Sequence, residues 1–201
     1  MKATEILMEE HRIILKVLDC LEKMAQEAEK TGKLNAQAAQ KVIDFFRNFA
    51  DGCHHAKEEN RLFGVLEEHG VPRKGGPIGV MLYEHDEGRR LIRGMVDTLE
   101  QAAEGDAQAM QAFNRYARDY IFMLRNHINK EDQVLFPMAD HVVPENMKEN
   151  LLEDFKKIEQ EAGNRRHREY IQLARQLCEQ YQVPFLNEDQ IPNIHLEFLT
   201  Q

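Results

Sequence analysis

The chain has 201 residues, 42% of them hydrophobic, which is the length of one domain with one sizeable core and excludes a disordered chain. Lys and Arg total 26 against 35 Asp and Glu, and the resulting net charge of −9 argues against a basic nucleic-acid footprint or attraction to anionic lipid. No apolar run reaches the ~18 residues of a membrane span, and the start MKATEILMEEHR is unlike a signal peptide; Cys20, Cys53 and Cys178 suggest neither a disulfide framework nor a thiolate metal site, so a cytoplasmic protein is expected.

Few Gly and Pro interrupt long stretches of Ala, Leu, Glu, Lys, Gln, Arg and Met, which is helix composition. Thr4 can cap a first helix running to about Lys30, and Asn35 caps a second from about Ala36 to Glu68. VPRKGGP (71–77) is a loop, and a third helix follows from about Ile78 to Ala103. With Asp106 as cap, a fourth runs from about Ala107 to Phe136, where Pro137 kinks or ends it. Four long helices with short breaks predict an all-α fold, an antiparallel up-down-up-down four-helix bundle over residues 1–143. Residues 144–201 read as a C-terminal helical extension and tail. Met147, Leu151, Phe155 and Ile158 keep helical spacing, as do Tyr170, Leu173, Leu177 and Tyr181, with Gly163 as a break and no element assigned after Pro184.

Nine histidines are the compositional oddity, and an internal duplication of residues 6–63 over 78–136 explains where several fall. Glu10-His11 matches Glu84-His85 at an offset of 74, and His54-x-x-Lys57-Glu58-x-x-x-Leu62-Phe63 matches His127-x-x-Lys130-Glu131-x-x-x-Leu135-Phe136 at 73. His and Glu four apart share a helix face, so each HxxxE pair is a chelating unit that continues an apolar stripe into the interior. Height along the bundle agrees: His11 lies 19 residues before Lys30 and His54 19 after Asn35, each roughly 28 Å from the intervening break at ~1.5 Å per residue. His85 and His127 come level in the same way. Burying four imidazoles and two carboxylates without compensation is costly, and a polyvalent cation supplies the compensation. Two HxxxE pairs and two single histidines divide into two metals sharing two carboxylates, a donor set suited to iron, manganese or zinc.

These motifs, with KE-x-x-x-LF after each pair and FP after the second, resemble the hemerythrin-like HHE cation-binding family over about residues 4–140. The resemblance implies a four-helix bundle with a non-haem di-iron centre, two Fe ions joined by an oxo or hydroxo bridge. Carried over by position, it makes His11, His54, Glu58, His85, His127 and Glu131 the ligands, with both glutamates bridging. Oxygen-carrying hemerythrins have a second histidine four after the third-helix ligand, where this chain has Arg89. They also use a carboxylate five after the fourth-helix histidine, where Asp132 stands beside Glu131. The pattern is nearer to bacterial members similar to iron-sulfur-repair di-iron proteins, without their short Cys-containing N-terminal domain, and to members implicated in response to NO, peroxide or O₂.

The resemblance thus implies a di-iron protein binding or responding to O₂, NO or peroxide, with a di-iron redox enzyme or an iron-storage or structural bundle as the alternatives. His55 and Asp132 are possible additional ligands. Tyr120 and Tyr116 are candidate donors to a bound oxygen species, and Cys53 reads as an inert small hydrophobe. His69, His141, His167 and His195 lack repeat partners and read as surface or helix-end residues. The extension is expected to cover the mouth of the site or, alternatively, to form a dimer interface.

Overall fold

The computed structural model describes residues 2–162 and 164–186, and within them every regular element is helical. Six helices follow in order: α1 (Ala3–Thr31), α2 (36–68), α3 (Pro77–Ala103), α4 (107–142), α5 (Glu145–Ala162) and α6 (Asn164–Gln180). Among the described residues no helix is long and apolar enough to cross a membrane.

The breaks follow local chemistry. Gly32 takes the left-handed conformation (φ 67°) that ends α1, and the Asn35 and Asp106 side chains accept from the amides of Ala38 and Ala109 to open α2 and α4. Pro77 occupies the first turn of α3. Thr4 is not the first cap. It lies inside α1, which starts at Ala3, and its hydroxyl donates to Asp140 of α4 at 2.7 Å. Nor does Pro137 end α4. A π-helical segment, Glu131–Leu135, precedes it, with the Phe136 amide bonding to the Glu131 carbonyl, and this wider turn carries the chain past a residue that has no amide hydrogen to donate.

Helix α1 meets α4 in reverse sequence order. Glu29 pairs with Arg118, Asp19 with Arg125 at 2.8 Å and His11 with Asp132 at 2.7 Å. The α3–α4 contact is the most extensive among the described residues, and Gly94 allows it: a Cβ there would stand 2.7 Å from the Tyr116 ring. Two apolar clusters form the core. The larger holds Val17, Leu21, Val42, Phe46, Leu91, Met95, Phe113 and Leu124; the smaller, toward loop 71–77, holds Leu7, Phe63, Ile78 and Phe136. A layer of buried polar side chains separates them.

Both helices of the extension pack onto the bundle. Leu151 and Phe155 of α5 join the smaller cluster, while Ala174 and Leu177 of α6, and Tyr181 just after it, join the larger. Gly163 and the segment after Leu186 lie outside the described residues.

Candidate metal centre

Four helices deliver seven side chains to the polar layer: His11 from α1, His54, His55 and Glu58 from α2, His85 from α3, and His127 and Glu131 from α4. None is more than 5% exposed. They form two groups whose donor atoms each lie within 4.8 Å of one another, His11, His54, Glu58 and Glu131 in one and His55, Glu58, His85 and His127 in the other. One Glu131 oxygen lies 3.3 Å from His11 Nε2 and 3.2 Å from His127 Nε2; the Glu58 oxygens lie 3.7 Å from His54 Nε2 and 3.5 Å from His85 Nε2. Each carboxylate therefore reaches toward both groups.

All six repeated residues are brought together, and so is His55. Asp132 joins neither group: its oxygen accepts from His11 Nδ1 at 2.7 Å, so it orients a histidine from outside. The local backbone explains His55. Residues Phe46–His55 are π-helical, and a turn with more residues separates consecutive side chains by a smaller angle, so His54 and His55 both face inward. In the other repeat the corresponding stretch lies within the regular helix Ala107–Lys130, and Ile128 stands where His55 does.

Every inward histidine is held at Nδ1 by a carboxylate. His11 donates to Asp132, His54 to Glu10 (2.9 Å), His85 to Glu59 (2.6 Å), His127 to Glu84 (2.9 Å) and His55 to Asp51 (3.3 Å). These anchors obey the duplication, since Glu10 pairs with Glu84 and Glu59 with Asp132, and the repeated lysines complete it: Lys57 bonds to Glu10 and Lys130 to Glu84. In the sequence Glu10, Glu84, Lys57 and Lys130 are matched positions with no partner legible along the chain. Their role is to fix the tautomer that leaves Nε2 bare and facing inward.

Electrostatics show a pocket built for positive charge. Burial first, and then neighbouring histidines, hold His54 and His85 down to about 3, so both are neutral with a lone pair available. His127 is pushed up to about 9: burial works against this, but Glu131 and then Glu84 outweigh it. Glu58 is raised well above the carboxylate range by burial and then by the charge of Glu131, which is itself held low because His127 and His11 overcome its burial. Protons thus occupy the pocket's demand for cations. Six buried donor atoms nevertheless have no hydrogen-bond partner, Nε2 of His11 and His54 and both oxygens of Glu58 and Glu131. Orphaned imidazole nitrogens and carboxylate oxygens are what a divalent metal would satisfy, so the residues fit the group.

A cavity of about 450 Å³ opens onto the layer at His55, His85 and His127. Phe46, Ile92, Leu124 and Tyr120 form its apolar walls, and Arg89, bonded to Asp51 and Glu59, stands at its edge. Tyr120 packs edge-on against Phe46 and faces this space, whereas Tyr116 is committed to packing on Gly94.

Among the described residues the lining comes from α2, α3 and α4 alone, so neither α5 nor α6 covers the mouth as expected of the extension. Apolar packing instead places α5 and α6 on the other side, where Glu159 bonds to Lys57 and His167 lies 3.8 Å from the Cys53 sulfur. His167 is accordingly buried rather than a surface or helix-end residue. Glu10, Cys53 and His167 also converge, but the Lys57 ammonium already supplies their positive charge. Cys53 is pushed up to about 12 by burial, consistent with an inert thiol. His69 is half-buried and bonds to the Val65 carbonyl, His141 is exposed, and His195 lies outside the described residues.

A helical bundle enclosing a buried layer of anchored histidines and shared carboxylates defines a cation-binding protein of the hemerythrin class. The model of the hemerythrin HHE cation-binding domain matches residues 2–139, and the chain belongs to that family. It is 34% identical over 122 residues to the iron-sulfur cluster repair protein YtfE of Edwardsiella ictaluri, covering 58% of this chain and 54% of that protein. Over 89 residues it is 33% identical to YtfE of Musicola paradisiaca, covering 43% and 40%. An uncharacterized protein of Mycobacterium tuberculosis, Rv1995, is 26% identical over 141 residues, covering 70% and 54%. The chain spans about half the length, or less, of these curated relatives. No solved structure matches it.

Proposed function

We propose that the chain is a non-haem di-iron protein that binds or responds to O₂, NO or peroxide. In this reading α1 to α4 form an antiparallel up-down-up-down bundle, the metal-binding unit is residues 1–143, and the setting is cytoplasmic. His11 and His54 hold one iron, His55, His85 and His127 hold the other, and Glu58 and Glu131 bridge. The observation that carries it is the set of six buried donor atoms without partners, converging from three of the four helices. When bound, the irons supply redox chemistry and coordination positions left over for a small ligand.

The chain's own residues divide the remaining work. Glu59, Glu84, Glu10, Asp51 and Asp132 orient the imidazoles, and the apolar walls of the cavity limit water on the His55, His85 and His127 side, where a small oxidant would enter. The side facing His11 and His54 is closed by Phe136, stacked on His11, and by α5 and α6. A second reading, a di-iron redox enzyme acting in iron-sulfur cluster repair, is favoured by the two YtfE relatives.

Anaerobic loading with ferrous iron followed by elemental analysis and optical spectra tests both readings. About two irons per chain are expected, with a change in absorbance on exposure to O₂ or NO. A change that reverses on degassing supports binding, irreversible oxidation supports redox turnover, and failure to take up iron overturns both.

A further inference from the structure

Cys20 of α1 and Cys178 of α6 face each other across the seam between the bundle and its C-terminal helix. Their sulfur atoms are 3.6 Å apart, the Cys20 thiol donating to the Cys178 sulfur, and both side chains are buried. The residues are 158 positions apart in sequence, and only tertiary packing joins them. Lys23 of α1 fixes the register by donating to the carbonyls of Tyr181 and Gln182 at 3.0 and 2.8 Å, just beyond Cys178. A disulfide has its sulfurs ~2.05 Å apart, so closing this pair requires an approach of about 1.5 Å.

We propose that Cys20 and Cys178 are a dithiol modification site, oxidised by hydroperoxides to an intrachain disulfide that fastens α6 to α1. Cys178 acts first. The Cys20 thiol donates to its sulfur at 3.6 Å, which lowers the Cys178 thiol against the opposing effect of burial, and Lys16 adds to this, while the thiol of Cys20 is raised. Both sulfurs are shut off from solvent, so the reaction requires α6 to lift locally from α1; the Cys178 thiolate then attacks the terminal oxygen of ROOH, the O–O bond breaks and the alkoxide leaves, taking a proton to become ROH. The resulting sulfenic acid is attacked by the Cys20 sulfur, the S–O bond breaks, and hydroxide leaves with the Cys20 proton as water. In sum, two thiols and ROOH give a disulfide, ROH and water, two electrons passing from sulfur to peroxide oxygen. Cys53 takes no part, because it packs against His167, about three helical turns along α6 from Cys178.

The test uses the full chain without metal, so that iron chemistry contributes nothing, with hydrogen peroxide as the oxidant. Thiols counted in denaturant should fall from three to one, and peptide mapping should recover Cys20 joined to Cys178 with the loss of two hydrogens. The melting temperature should rise by about 5–10 °C, because the cross-link closes a long loop in the unfolded chain. Cys53→Ala should give the same cross-link, and Cys20→Ala should give none. Retention of three thiols, a cross-link that includes Cys53, or disulfide-linked dimers would overturn the assignment. The mapping on the unmodified sequence decides this even where a variant fails to fold.

Discussion

The Nε2 atoms of His85 and His127 stand 3.2 Å apart, while the opposite nitrogen of each ring is tied to a carboxylate, Glu59 for His85 and Glu84 for His127. Two inward nitrogens so constrained share either a proton or a cation, and the upward shift of His127, which Glu131 and Glu84 produce against its burial, marks the positive charge the pocket attracts. A metal that supplies it binds only the folded chain. Saturating ferrous iron or zinc should therefore raise the melting temperature by about 10 °C, given ~4 kcal/mol at a thousandfold excess over Kd and ~2–4 °C per kcal/mol for a chain of this size. Chelator should reverse the rise, and a melting curve indifferent to metal and chelator would count against the centre.

Bridging and terminal ligands differ in their effect on stoichiometry. Glu58 belongs to both donor groups, so Glu58→Ala should abolish tight binding at both positions. His55 belongs to one, and His55→Ala should leave about one iron per chain. Elemental analysis after desalting distinguishes these outcomes, and retention of two irons in His55→Ala would remove it from the ligand set. His141→Ala, on the exposed face, should change neither count.

Lys57 and Lys130 are equivalent in the repeat but not in the fold. Lys57 is fully buried and bonds to both Glu10 and Glu159, whereas the Lys130 side chain is 40% exposed and bonds to Glu84 alone. Lys57→Met leaves buried carboxylates without their cation and should cost ~3–5 kcal/mol, against at most ~1 kcal/mol for Lys130→Met. Urea denaturation of the two variants measures the difference, and equal losses would refute the asymmetry.

Asp51 gives a pH dependence of definite sign. Burial opposes its ionisation, but His55 and Arg89 hold its carboxyl down to about 2, below its ordinary 3.8. A depressed carboxyl stabilises the fold above its unfolded pKa and loses that contribution as pH falls from about 4 toward 2. Allowing for its partial exposure, Asp51→Asn should cost ~1 kcal/mol at pH 7 in the metal-free chain and progressively less below pH 4. A gap in urea midpoint that persists undiminished at pH 3 would contradict this account.

Much of the site is legible in the sequence because helical geometry and duplication are both local signals. Four-residue spacing places His54 with Glu58 and His127 with Glu131, and the 73-residue offset ties the pairs together before any contact is known. His55 was ambiguous because α-helical spacing turns it away from His54, and the π-helical stretch that turns it back occurs in one repeat only. The anchoring of His54 by Glu10 and of His127 by Glu84 runs between helices, beyond what periodicity describes. The burial of His167 is hidden from the sequence for a related reason. Its burial depends on where α6 docks, and docking follows the match of two apolar surfaces.

The sequence by itself determined the helices, the inward stripe and the six repeated histidines and glutamates that converge on one layer, since each follows from spacing along one chain segment. Tertiary packing alone decided that the cavity opens on the His55, His85 and His127 side, that α5 and α6 close the other, and that Cys20 meets Cys178. Those outcomes depend on which surfaces exclude water together, and that is a property of pairs of helices that no single stretch of sequence encodes.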